Sequence, residues 1–193
     1  MLRRLYDWTL LKAEHRWALW ILAAISFAES SVFPITPLVM LVPMVLARPD
    51  RAWLIAGVCT AASVAGGVAG YGIGAVLYEE VGRPVLELYG KAGKFEEFTA
   101  WFNEVGTEAV LIAAITPFPY KVITIASGVT GLNIGTLIGA SIVGRGLQFF
   151  GVTLVVWYFG DRAKALIEKH MTLVAIVTAL LLIGGFALVR VLG

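Results

Sequence analysis

Cysteine, histidine and charge are all scarce in this chain. Its 193 residues include one cysteine, Cys59, so neither an internal disulfide nor a thiolate metal cluster can form. Its two histidines, His15 and His170, stand at the edges of hydrophobic runs. With no histidine inside an apolar segment to serve a Ser-His pair, an intramembrane serine protease is excluded. H-E-x-x-H, paired aspartates within apolar runs and phosphatase-like clusters of Arg, His and Lys are also missing. The expectation is a protein that is not an enzyme and needs no metal or cofactor. No basic face interleaved with aromatics exists, which argues against nucleic-acid binding, and no nucleotide loop occurs that would support direct ATP drive. Arg3 and Arg4 are followed by Asp7, Lys12, Glu14 and Arg16, a pattern too interrupted for a cleaved signal peptide.

What is abundant is apolar surface. Hydrophobic residues make up 59% of the chain and charged residues 15%, with a mean hydropathy of +0.86. That is the composition of an integral membrane protein. The chain reads as one all-α membrane domain over 1–193. Residues 1–16, with Leu5, Trp8 and Leu11 among charges, suit an interfacial helix. Residues 17–78 form a first unit, opened by an apolar stretch (17–47) holding Pro34, Pro37 and Pro43. Three prolines in ten residues are incompatible with one continuous spanning helix, so 17–47 is expected to be a re-entrant hairpin turning at 30–37.

From Ala52 to Tyr78 no charge occurs, enough length to span with tilt. Gly66, Gly70 and Gly74 recur every four residues there and make a smooth face for close helix contact. Residues 79–108 form an amphipathic connector with Phe95, Phe98, Phe102 and Val105 at helical spacing. A second unit, 109–160, repeats the order: a broken hairpin at 109–133, then a helix at 134–159. Gly131, Gly135 and Gly139 make another four-spaced stripe, suited to packing within the chain or in an oligomer. Residues 171–190 read as a final transmembrane helix. Broken segments at matching positions of two halves are the sequence signature of an inverted-repeat transporter with a site at the bilayer midplane. Nine Lys and Arg residues fall on the side of the N-terminus and four on the other, which places the N-terminus in the cytoplasm.

Fifty-two consecutive residues, Ala109 to Gly160, contain just two charges, Lys121 and Arg145. Charge in hydrocarbon is costly and is kept for a partner or a substrate. Arg145 cannot lose its proton and is shaped to hold carboxylate or phosphate. Glu29 is the matching acid in the first unit. If all three charges face one another, the site carries one excess positive charge and prefers an anion, such as a lipid phosphate. A Glu29 that takes a proton in so apolar a setting would be a coupling group, and a Glu29–Arg145 salt bridge would be a purely structural alternative. Thr116, Tyr120 and Tyr71 are the polar residues expected near the centre. Pro34, Pro37, Pro117 and Pro119 are expected to break the helices around it.

Phe27-Ala28-Glu29 followed by Pro34 and Pro37 resembles the first motif of the DedA membrane-protein family, also called the VTT or SNARE-associated domain. Gly66-Gly67-x-x-Gly70-Tyr71-x-x-Gly74, then Thr116-Pro117-Phe118-Pro119-Tyr120-Lys121, then Arg145-Gly146-Leu147-Gln148-Phe149 follow in that family's order, closest to its YqaA-type branch. Many members carry an acid where this chain has Gly67 and an arginine near Ala114. The resemblance implies two re-entrant hairpins, a bacterial cytoplasmic (inner) membrane location and lipid movement across the bilayer. Undecaprenyl phosphate recycling is the activity linked to bacterial members. The expected function is therefore flipping of a phosphate-bearing lipid, with protons as a second expected partner. The alternatives are a proton-coupled antiporter of small cations or drugs and a non-transporting scaffold.

Overall fold

A computed structural model describes residues 17–32, 36–88, 92–116 and 119–160. The interfacial helix expected at 1–16 and the transmembrane helix expected at 171–190 lie outside the described residues. Among these residues the chain is all α-helical. It runs α1 (Ala18–Ser31), α2 (Leu38–Ala47), α3 (Ala52–Leu77), α4 (Arg83–Leu88), α5 (Ala92–Glu104), α6 (Gly106–Ile115), α7 (Tyr120–Val129) and α8 (Ile134–Phe159). A 3-10 turn at Pro49–Arg51 leads into α3, and a wider π turn at Tyr78–Gly82 follows it.

Among the described residues two helices are long and apolar enough to cross a membrane, the continuous segment Pro49–Gly82 and Ile134–Phe159. At 1.5 Å per residue, a helix of 26 residues is about 39 Å long, more than the roughly 30 Å of a hydrocarbon core. Their outer faces show why lipid, not water, is the fitting solvent. Ile142, Val143, Leu147, Leu154 and Val155 are all exposed on α8. α1, α2, α6 and α7, at 14, 10, 10 and 10 residues, are shorter than a span.

Helix directions follow from side-chain register. Ser26 meets Cys59 and Ser30 meets Ser63, so α1 and α3 run parallel, with a constant offset of 33 residues. The same offset sets Ala18 level with Arg51, so between Ser31 and Ala52 the chain has turned back to the level where α1 began. In the second half, Gly106 lies against Leu132 and Gly144 against Ala114, so α6 runs parallel to α8. Trp53 stacks near Phe150 and Trp157 while Ser63 meets Arg145, so α3 and α8 are antiparallel. α7 runs parallel to α3: Gly70 meets Thr124, and Gly128 meets Tyr71 and Ala75.

The glycine face predicted on α3 is a contact face. A Cβ on Gly66 would lie 2.2 Å from the Phe27 carbonyl oxygen, and one on Gly74 would lie 2.0 Å from the Ile125 carbonyl oxygen. The second stripe behaves differently. Gly131 forms the turn before α8 with φ +64°, a conformation that suits glycine, while Gly139 faces open space and Gly135 is exposed, beside only the capping side chain of Asn133. Four-residue spacing alone does not say which face of a helix the glycines occupy.

Two clusters hold the core. One joins Leu22 of α1, Leu41 and Met44 of α2, Ile55 of α3 and Phe149 and Val156 of α8. The other joins Phe102, Val110, Ala114, Tyr120, Leu132 and Leu137. Aromatic groups mark the two ends of the bundle: Trp53, Phe150 and Trp157 at one, Tyr78, Phe95, Phe98 and Trp101 at the other. Such belts are typical of the two membrane–water boundaries.

Candidate functional site

Arg145 stands on α8 in the same register that Ser63 occupies on α3, and the two meet where the antiparallel helices cross. Its side chain is 4% exposed. Nε donates to Ser63 Oγ at 2.5 Å, Nη1 to Gln148 Oε1 at 2.9 Å, and Nη2 to both Glu29 Oε2 and Ser30 Oγ, the latter at 3.2 Å. The guanidinium plane lies over the Tyr120 ring at 4.6 Å and the Phe149 ring at 4.9 Å. Buried charge is tolerable when it is paired and hydrogen-bonded, and Arg145 has both an ion pair and neutral acceptors. The aromatic faces add cation–π attraction.

Glu29 sits in the last turn of α1, its side chain 16% exposed. Ser30 completes the ring of polar contacts: its hydroxyl lies 2.6 Å from Ser63 Oγ and 3.2 Å from Glu29 Oε2. Thr124 Oγ1 of α7 donates to the Ser30 carbonyl at 3.1 Å and to the Lys121 carbonyl at 3.0 Å. Tyr120 is fully buried, and its hydroxyl is hydrogen-bonded to Ser141. Helices α1, α3, α7 and α8 therefore each contribute to one polar centre.

The expected convergence of three charges does not occur. Glu29 and Arg145 pair and neutralise each other, while Lys121 Nζ turns to the Val32 carbonyl, 3.5 Å away, at the end of α1. Helix geometry accounts for this. Consecutive residues of a helix project about 100° apart, and Tyr120 takes the position facing Arg145. Lys121 is thereby sent toward the carbonyl end of α1, where a cation is favoured by the helix dipole.

Other expected site residues fall outside the centre. Thr116 Oγ1 donates to the Ile112 carbonyl at 2.7 Å and closes the end of its own helix. Tyr71 packs on the second core cluster and lines a cavity of about 490 Å³ near α5, away from Arg145. Pro37 is the N-cap of α2 and Pro119 the N-cap of α7, where the ring's fixed φ suits a helix start. Pro34 and Pro117 lie outside the described residues.

Ser30, Ser63, Thr124 and Ser141 escaped the sequence reading. One signal was available for two of them: Ser30 adjoins Glu29, and Ser141 stands one turn before Arg145 on the same face. For Ser63 and Thr124 the spacing of charges holds no hint. Gly67 leaves room for this arrangement, because a Cβ there would come within 3.1 Å of the Tyr120 hydroxyl.

Comparison with known proteins agrees with the residues. A model of the VTT domain matches residues 33–160. An uncharacterized protein of Haemophilus influenzae is 32% identical over 170 residues, 88% of each chain. An uncharacterized protein of Histophilus somni is 32% identical over 167 residues, covering 86% of this chain and 87% of that one. No solved structure matches. The chain belongs to the VTT-domain, or DedA, family of membrane proteins.

Proposed function

We propose that this chain is a lipid translocase that moves a phosphate-bearing lipid across the bacterial cytoplasmic membrane, with its N-terminus in the cytoplasm. In this reading α1–α2 and α6–α7 are re-entrant hairpins of two inverted repeats. Their breaks meet at mid-depth, and each repeat is completed by one spanning helix, α3 or α8. Support comes from the parallel runs α1/α3 and α6/α8 and the antiparallel pair α3/α8. The observation that carries the proposal is Arg145, buried halfway along a spanning helix and closed by a carboxylate from the other repeat.

The resting centre is neutral, so an anion must displace Glu29 from the guanidinium. A lipid phosphate is the fitting competitor, since it matches the same planar donors. The displaced carboxylate is then the group that carries the accompanying proton. One phosphate in and one proton in restore neutrality, which couples lipid movement to a proton gradient. Lys121, beside the path at the end of α1, adds attraction for the entering anion.

Reconstitution into liposomes tests this. The protein should move labelled polyprenyl phosphate or phospholipid, Arg145→Ala and Lys121→Ala should abolish movement while staying monodisperse, and Glu29→Gln should remove its dependence on a pH gradient. No movement across a panel of phosphate headgroups would sink the reading. A second reading, a scaffold in which the ion pair is structural, draws support from the four acceptors that Arg145 already satisfies. It requires that transport be absent and that Glu29→Gln and Arg145→Gln harm folding singly more than together.

A further inference from the structure

On either side of the Ser63–Arg145 crossing the short helices are held in unlike ways. On the α3 side, contact at Gly74 and Gly128 is backbone on backbone, and hydrogen-bonded Thr124 fills the space at Gly70. A Cβ on Gly74 would strike the Ile125 carbonyl of α7, and one on Gly128 of α7 would strike the Tyr71 carbonyl of α3, each at 2.0 Å. On the α8 side, Phe149 and Val156 share one buried side-chain cluster with Met40, Leu41, Met44 and Val45 of α2, together with residues of α1 and α3, and Val152 packs against it. Methionine side chains adapt their shape readily. Pro43, inside α2, removes one internal helix hydrogen bond. The ten residues of α2 are bounded by a break before Leu38 and a turn at Pro49–Arg51.

Thr153 adds an independent observation. It is fully buried on the face of α8 that carries Phe149 and Val156, and its hydroxyl has no hydrogen-bond partner among the described residues. Buried polar groups are paired almost everywhere in native proteins. A hydroxyl stranded in one conformation is explained if a second conformation supplies its partner.

We infer that α2 is the moving element of this protein. The seam between α2 and α8 opens from the Arg48 end toward Arg145, with Thr153 as a polar step on the path, while the α3–α7 seam stays shut. This goes beyond the transport reading, and its test needs no lipid substrate. On a Cys59→Ser background, Met44→Cys reports on the α2 seam and Ser127→Cys on α7; both native residues are at most 2% exposed. A charged methanethiosulfonate reagent is applied to both sides of reconstituted vesicles. Local opening predicts that Met44→Cys reacts about tenfold faster than Ser127→Cys. Adding Thr153→Val should slow the Met44→Cys reaction severalfold and leave the Ser127→Cys rate unchanged. Should Met44→Cys fail to fold, Met40→Cys, one turn earlier on the same face, reads the same seam. Equal rates at the two seams, or a faster Ser127→Cys, overturn the assignment of α2 as the gate. An unchanged Met44→Cys rate in Thr153→Val overturns the role given to Thr153.

Discussion

At equal registers of two 26-residue helices, α3 turns Gly67, Gly70 and Gly74 toward α7, whereas α8 turns Phe149, Val152 and Val156 toward the cluster that α2 fills. Past Gly74 the first seam has no side chain to compress: its spacing is set by the backbone of Ile125, so a shift of a few tenths of an ångström is felt at once. At Gly67 and Gly70 the space is filled by Tyr120 and Thr124, each held by hydrogen bonds. The second seam is cushioned by side chains that can change rotamer. Two regions with the same topology thus differ in stiffness because one is lined by glycine and the other by methionine, valine and phenylalanine. Stiffness on one side gives the polar centre a fixed wall, and softness on the other gives it a way to be reached.

The largest effect is expected where the two regions join. Removing one partner of a buried ion pair costs about 3–5 kcal/mol, because the other charge is left uncompensated. The two partners are not equivalent. A bereft Arg145 cannot lose its proton, and at 4% exposure it is more deeply buried than Glu29 at 16%. Glu29→Leu should therefore destabilise more than Arg145→Leu, and the double variant less than the sum. Steric-trap or denaturant unfolding in lipid reads this; equal losses from the two single variants would show that the guanidinium finds another anion.

Next come the seams themselves. Gly74→Ala and Gly128→Ala each force a methyl into backbone, an overpacking expected to cost about 1–3 kcal/mol or more. Alanine's better helix propensity, about 1 kcal/mol, offsets part of that. Met44→Leu in the opposite seam is close to volume-conserving and should cost less than about 1.5 kcal/mol. Thermal midpoints of the purified variants rank them, and a Met44→Leu loss as large as that of Gly74→Ala would erase the contrast between the two regions.

How much of this could be read from residues alone depends on the kind of information required. The spanning helices α3 and α8 are legible from uncharged length, and the glycine face of α3 from its spacing. The outward direction of Gly135 and Gly139 is not, because periodicity defines a face but does not say what covers it. Glu29 and Arg145 stand out as charges in apolar runs. That they neutralise each other while Lys121 turns to the Val32 carbonyl depends on the register of α7 against α1, which is set by Thr124 and the α3 glycines. Ser63 was invisible for the same reason: a serine in a helix is unremarkable until its partner 82 residues away is known.

The smallest effect on stability is expected at Lys121. Its side chain donates to the Val32 carbonyl at 3.5 Å, long for a hydrogen bond. An exposed interaction of this kind contributes about 0–1 kcal/mol, so Lys121→Gln should leave the unfolding midpoint nearly unchanged. That makes it a clean probe, since any loss of anion binding or lipid movement in this variant cannot be blamed on folding. Measured by titrating the purified protein with a short-chain phosphate lipid, affinity should fall while the melting curve stays put. A large loss of stability would mean that Lys121 fastens α7 to the end of α1, and that its charge belongs to the stiff wall, not to the path beside it.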